Sequence, residues 1–447
     1  MKQTLTATEG SACAKRYPND IDPILGYAPG RILTDSVMDY RSEQAAEAVL
    51  LHRYRTYGLA GIHNVMMLID NCRLPDYFTG AAYQERYLSQ KLSEERLDRL
   101  AKIHMGGDDG FRTLAFNRTT AANLTVVLAL ARPGSTVPYL IVPYPKPHLM
   151  KGHAHPSIPR AIELARATCV TVVSAAELTN VLDTRDVSLI TVCPSYRGLM
   201  DEGTLRAACA MGRARSIPVF VDDASGARLR TIGGGQARAV DLGADVVVTS
   251  TEKYGLNGPR AGLVVGRRSL MEKIGAQAAV LGTEARPSVM AAIVRSLEEF
   301  TAEGSQAMYR DWEVRHRALY EVASKVFGER VSWTGYGGVS IMVEDIIELV
   351  MGRAGLEATE FAPVDISTAV SMVLLRKYGY MTVPALHYPG ASKALMIHLA
   401  QPSAQNLSAA EIVAALDDAF TIVGSVMISR DKLEQILFGP PEMGLPA

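Results

Sequence analysis

The sequence predicts an α/β protein built on a mostly parallel, helix-covered sheet, and three observations carry that expectation. Short apolar runs bounded by turn residues recur from about residue 113 to residue 266. Helical patterns fall between most of them. Two of the runs, Ile217-Pro-Val-Phe-Val-Asp222 and Ala244-Asp-Val-Val-Val-Thr-Ser250, are nearly continuous in apolar residues rather than alternating, as strands buried on both faces are.

The elements follow in order. A helix fits 36–57, where Val37, Tyr40, Ala45, Val49 and Tyr54 recur at three- and four-residue steps. Residues 58–65 read as a loop, and the whole N-terminal part reads as an arm that packs on something else, such as a second subunit. A charged helical stretch over 78–104 is stopped by Gly106-Gly-Asp-Asp-Gly110. A strand is then expected over 113–116 and a helix over 120–131, ended by Pro133-Gly134. Strands follow at 137–143, 169–174, 187–193, 217–222, 245–250 and 262–266, with helices at 157–168, 203–214 and 269–279. Too few residues separate 245–250 from 262–266 for a helical crossover, so the last strand should run antiparallel. Beyond about 285 the rhythm changes. A long helix over 288–326 leads to strands near 339–343 and 394–399 and helices near 367–377 and 408–419, which suggest a smaller α/β sandwich.

Composition narrows the function. The chain has 447 residues, 48% hydrophobic and 21% charged, with a net charge of −1. That balance gives no electrostatic case for nucleic acid or an anionic membrane. No apolar stretch approaches the ~20 residues a bilayer span needs, and no signal-like apolar core opens the chain. The five cysteines are scattered and odd in number, which suits a reducing cytoplasm better than a disulfide framework.

The chemistry-bearing residues sit at strand ends. Asp222 closes one buried strand, and Lys253, 31 positions later, follows the next inside Lys253-Tyr-Gly-Leu-Asn-Gly-Pro-Arg-Ala-Gly262. This pair suits pyridoxal phosphate (PLP). Lys253 would hold the cofactor as a Schiff base, and Asp222 would keep the pyridine nitrogen protonated so that the ring acts as an electron sink. Thr119 and Thr120 open the 120–131 helix, where free N–H groups and the helix dipole make a seat for the phosphate. Ser225 is expected to bond the ring oxygen, and Arg260 to reach a phosphate. Three histidines lie within eight residues, at 148, 153 and 155. A metal cluster there would want a carboxylate or thiolate beside it, and the flanks offer only Lys, Pro and Gly. We therefore expect no metal and a ring-stacking imidazole, His155 ahead of His153. Tyr196 and Arg197 follow the 187–193 strand, at the end of a parallel sheet where ligands bind. Arg197 is the expected reader of a substrate carboxylate.

The series Phe116-Asn-Arg-Thr-Thr-Ala-Ala122, His155-Pro-Ser-Ile-Pro-Arg160, Val221-Asp-Asp-Ala-Ser-Gly226 and Lys253 to Gly262 resembles the fold type I PLP enzymes. Within them it is most similar to the bacterial selenocysteine synthase group and its archaeal homologues. The resemblance spans roughly residues 100–400. It implies an aminotransferase-like large domain with a smaller C-terminal domain, and a homo-oligomer, dimer or higher, with shared active sites. It also implies catalytic roles for Lys253, Asp222 and His155. The expected organisation is an arm over 1–75, a PLP-binding domain over 76–287 and a small domain over 288–447.

The sequence departs from that pattern in two places. The strand at 394–399 shows Met396 and His398 where such enzymes often carry a carboxylate-gripping arginine, so His398 is a weaker substitute and ordinary transamination is not the first expectation. No basic N-terminal domain of the tRNA-binding kind is seen, so selenocysteine synthesis on tRNA is not expected. The resulting expectation is a cytoplasmic PLP enzyme acting on a small amino compound by β- or γ-elimination or replacement. An aminotransferase or desulfurase, or a PLP-binding regulator without turnover, are the alternatives.

Overall fold

The computed structural model describes residues 16–20, 22, 28–67, 70–143, 155–196, 198–333, 338–386 and 393–445 of the chain. Helix α1 (Ser36–Tyr57) and the two-residue strand β1 (His63–Asn64) precede α2 (Arg86–Met105). The main sheet has seven strands: β2 (Phe111–Phe116), β3 (Thr136–Ile141), β4 (Thr168–Val172), β5 (Ile190–Cys193), β6 (Val219–Asp222), β7 (Val246–Ser250) and β8 (Gly262–Arg267). Their spatial order is β2-β8-β7-β6-β5-β3-β4. Only β8 runs against its neighbours, pairing antiparallel with both β2 and β7. The short link after β7 dictates this, as expected from the sequence. Helices α3 (Thr119–Leu130), α4 (Ser157–Leu164), α5 (Ala175–Thr184), α6 (Glu202–Ala214) and the short α7 (Gly226–Arg228) connect the strands, and α8 (Arg268–Leu281) follows β8. Among them α5 has no counterpart in the sequence expectations.

The pleat divides the sheet's side chains between two cores. Leu140, Val192, Val221, Val247 and Val265 face one core with Leu205 and Leu178. Tyr139, Ile141, Phe220, Val246 and Val248 face the other, with Val126 of α3 and Ile158 and Ile162 of α4. Every residue of β3, β5, β6 and β7 is buried, which explains their unbroken apolar runs.

The helix expected over 288–326 is two helices, α9 (Pro287–Glu299) and α10 (Ala302–Phe327). Thr301 interrupts it, its hydroxyl accepting from the Gly304 N–H as a new N-cap. The C-terminal part adds β9 (Val331–Trp333), β10 (Val339–Ile341), α11 (Val343–Ala354), α12 (Pro363–Val373), β11 (Tyr380–Met381), α13 (Val383–Leu386), β12 (Leu395–Ile397), α14 (Ala409–Val426) and α15 (Arg430–Phe438). Strands β12, β10 and β9 form an antiparallel sheet. The strand expected over 339–343 stops at Ile341 because Val343 already begins α11.

The N-terminal segment packs on its own chain. Ile32, Ala46, Val49 and Val65 join the core built by α11, α12, α14 and α15. Buried Asp365 of α12 accepts backbone N–H bonds from Arg31, Ile32 and Leu33 at 2.7, 3.1 and 2.9 Å. Strand β1 pairs parallel with β11. Among the described residues no helix is long and apolar enough to cross a membrane.

Candidate active site

Asp222 ends β6 and shares the face of Phe220, so the pleat aims it at α3 and α4. Its Oδ2 accepts from Asn123 Nδ2 at 2.9 Å, and its Oδ1 from the Ala224 N–H at 3.3 Å. The side chain is 5% exposed. Burial pushes its carboxyl up to about 6, against the pull of Asn123 and of the Lys253 charge. Asp223 points the other way and is committed to structure. It forms a two-point pair with Arg230, at 3.1 and 2.6 Å, in which both side chains are essentially unexposed. Of the two adjacent carboxylates, Asp222 alone faces the α3 side.

Helix α3 brings the next pieces. Its N-cap, Arg118, makes no side-chain cap, so the dipole end of a 12-residue helix retains uncapped backbone N–H groups. Thr119 and Thr120 are its first two residues. The Thr119 hydroxyl donates to the Ala261 carbonyl at 3.3 Å, whereas Thr120 is exposed. The close fit at the head of β8 requires Gly262, since a Cβ there would lie 2.9 Å from Thr119 Cα. One turn further along, Asn123 donates to Asp222 and also to Ser157 Oγ, again at 2.9 Å. The Ser157 N–H in turn donates to His155 Nδ1 at 3.2 Å. His155, Ser157, Asn123 and Asp222 are thus one connected series. His148 and His153 lie outside the described residues.

Lys253 follows β7 and is half-buried. Tyr254 after it adopts a left-handed backbone, φ 55°, which costs a non-glycine residue on the order of 1 kcal/mol. Gly255 continues the turn at φ 95°, where a Cβ would meet Ser305 Oγ at 2.6 Å. Arg228 Nε donates to the Lys253 carbonyl at 3.0 Å. The Tyr309 hydroxyl donates to the Tyr254 carbonyl at 2.7 Å. Glu252 is buried beside the lysine, and burial pushes its carboxyl up. The Arg260 N–H donates to Asp70 Oδ1 at 3.0 Å, and the Asn71 N–H to the Gly258 carbonyl, so residues 70–71 brace this loop.

The remaining expected residues divide. Ser225 is half-buried in the turn after β6. The loop after β5 meets that turn, since a Cβ on Gly226 would lie 2.6 Å from Ser195 Oγ. Tyr196, next to Ser195, is half-buried there, and Arg197 lies outside the described residues. His398 is 1% exposed and enclosed by rings: Trp312 at 5.0 Å, His316 at 4.3 Å and Tyr254 at 6.0 Å between centroids. It sits in an aromatic box under the lysine loop rather than on an open wall.

Sequence reading missed Asn123, Arg228, Tyr309 and Glu252. Asn123, an amide among the mostly apolar residues of the helix 120–131, was a usable signal. The buried Arg228 and Tyr309 offered none, because the partners that place them at the lysine loop are backbone carbonyls.

This sheet order and the paired strand ends define a class, the fold type I architecture of PLP-dependent proteins. The structure of N-succinyldiaminopimelate aminotransferase from Mycobacterium tuberculosis is similar, with a TM-score of 0.51 at 16% identity over 86% of this chain and 99% of that one. At that identity the likeness concerns fold alone. Residues 338–408 match the family described as the UPF0425 C-terminal domain. A UPF0425 pyridoxal phosphate-dependent protein of Methanothermobacter thermautotrophicus is 34% identical over 412 residues, covering 91% of this chain and all of that protein. The chain belongs to the UPF0425 family of pyridoxal phosphate-dependent proteins. An L-seryl-tRNA(Sec) selenium transferase of Nitratidesulfovibrio vulgaris is 38% identical over 104 residues, 21% of this chain and 22% of that enzyme. The resemblance read from the motifs agrees with these matches, and the cofactor it implied is the one in the family's name.

Proposed function

We propose that this protein is a PLP enzyme that acts on a small amino-acid-like substrate by elimination or replacement at the β- or γ-carbon. The observation that carries the reading is buried Asp222. A carboxylate held in that environment is costly without a cation beside it, and a protonated ring nitrogen supplies one. The uncapped start of α3, on the same helix as Asn123, suits the phosphate. In this reading Thr119, Thr120, Ser225 and Arg260 hold the cofactor, His155 lies on its ring, and Lys253 Nζ is the point of covalent attachment. The bound cofactor supplies an electron sink for the substrate's α-carbon. Lys253 Nζ takes the α-proton, and Tyr196 and Arg197 orient the substrate. His398, inside its aromatic box, would reach a substrate only if that box opened.

Elimination or replacement is favoured over transamination by Met396, whose thioether offers no donor to a carboxylate. The partial match to a selenium transferase points the same way. A cytoplasmic homo-oligomer fits the reading. Val37 and Tyr40 near one end of α1, and Leu51 and Tyr54 near the other, are exposed apolar side chains suited to a second subunit.

The test starts with borohydride reduction and peptide mapping, which should place the pyridoxyl group on the Lys253 peptide. The loaded protein is then offered a panel of amino acids with leaving groups at the β- or γ-carbon. Release of the leaving group is the expected result. A 2-oxo acid formed only with an amino acceptor would replace this reading with transamination. A cofactor spectrum that no amino compound alters would make the protein a binding regulator.

A further inference from the structure

We propose that Arg228 and Tyr309 are positioning residues for Lys253, holding the two carbonyls that flank the left-handed turn at Tyr254. The proposal rests on Lys253 being the point of cofactor attachment.

Aromatic residues seldom take a left-handed backbone unaided, yet Tyr254 does so here, immediately before Gly255. Two side chains from distant elements hold the turn where it is. Tyr309 comes from α10 and bonds the Tyr254 carbonyl. Arg228 comes from α7 and bonds the Lys253 carbonyl. The two bonds fix the peptide planes on either side of Tyr254; the 253–254 plane, held by Arg228, is also one of the two that flank the Lys253 Cα, and Tyr309 keeps the turn from swinging that plane away. A small rotation there is magnified along four methylenes to Nζ.

Arg228 is built for this task rather than for an ion pair. It is completely buried. Its other donors go to the Ser250 carbonyl at 2.8 Å, the Ala224 carbonyl at 3.4 Å, Thr249 Oγ1 at 3.1 Å and His104 Nε2 at 3.3 Å. These acceptors are all uncharged, since burial and the Arg228 charge keep His104 neutral, its pKa lowered to about 3. The carboxylates of Glu252 and Asp223 act on the guanidinium only through longer-range attraction. A buried cation spread over carbonyls from the ends of β6 and β7 and from the lysine itself ties the two strand ends together. The rigid fork of arginine can do this where a lysine's point charge cannot.

The experiment measures borohydride trapping of PLP at Lys253, per bound cofactor and across pH. It compares wild type, Tyr309→Phe and Arg228→Lys. Tyr309→Phe removes one hydroxyl and keeps the packing. It should fold and retain cofactor on gel filtration, yet trap at Lys253 at least about tenfold more slowly, because small misplacements of reacting groups carry large rate penalties. The pH midpoint of trapping should move as well. Arg228→Lys should act in the same direction and more strongly. Tyr378→Phe removes a hydroxyl bonded to Asp418 at 2.8 Å, away from the lysine loop, and should leave both readouts at wild-type values. Unchanged rate and midpoint in folded Tyr309→Phe overturns the proposal; should that variant not fold, Arg228→Lys decides by the same readouts. Wild-type label on another lysine overturns the attachment reading and this proposal together, an outcome visible before any variant is made.

Discussion

Asn123 Nδ2 stands 2.9 Å from Asp222 Oδ2 across 99 residues of sequence. The same amide donates to Ser157, so one side chain ties the end of β6 to the starts of α3 and α4. Both contacts are buried. Hydrogen bonding to the ionised form holds a carboxyl pKa down, so Asn123 opposes the effect of burial on Asp222.

Asn123→Ala should therefore raise the Asp222 pKa further and leave less carboxylate to meet the ring. Losing a bond to a charged group costs about 1.5–3 kcal/mol. Cofactor affinity should fall at least about tenfold, and fall more at mildly acidic than at mildly alkaline pH. Titration of the apo-protein with PLP at both pH values checks this; equal losses would leave Asn123 a packing residue.

Asp222 itself predicts a pH dependence of the cofactor-free protein. Its folded pKa of about 6 lies above the ordinary value of 3.8. The folded state therefore holds this proton more tightly than the unfolded chain. The stabilisation is complete below the unfolded value and is lost as pH rises through about 6. In free energy it is on the order of 3 kcal/mol. Denaturant unfolding of wild type and Asp222→Asn at several pH values isolates it, because Asn cannot titrate. Asp222→Asn should also retain some PLP through the phosphate seat while losing turnover.

The threonines at the head of α3 are not equivalent. Thr119 already gives its hydroxyl proton to Ala261, whereas Thr120 is exposed at the helix start. Replacing both with valine should lower PLP affinity at least about tenfold. Thr120→Val alone should account for most of it. An unchanged titration would move the phosphate elsewhere, with Arg260 next in line.

His104 should set a limit in acid. Burial first, then Arg228, lowers its pKa to about 3, against 6.5 for the free side chain. Protons bind the unfolded chain preferentially below pH 6.5, so stability falls from there down to about 3. The full cost is on the order of 5 kcal/mol. His104→Gln should show a shallower loss across this window in pH-dependent denaturation. A parallel loss would assign acid unfolding to other groups.

The sequence made one part of the site legible and hid another. Strands β6 and β7 were visible because burial on both faces leaves an unbroken apolar signature, and their terminal Asp222 and Lys253 stand out against it. The antiparallel β8 was visible because chain length alone forbids a crossover. The choice between Asp222 and Asp223 rests on packing. Alternation sends the two to opposite faces, but only the packed structure shows that α3 covers one and Arg230 waits on the other. The break at Thr301 was obscured by helical periodicity that continues on both sides of it.

Local pattern thus determined the sheet, its order of strand directions and the residues that end its strands, because period and chain length are properties of short segments. Tertiary structure alone decided what those residues touch. The N-terminal segment reads as an arm until Asp365 gathers its N–H groups. Arg228 and Tyr309 read as ordinary helix residues until they meet the carbonyls of Lys253 and Tyr254. A backbone carbonyl is the same at every position of a sequence, so nothing in a list of side chains marks which of them a buried donor will find.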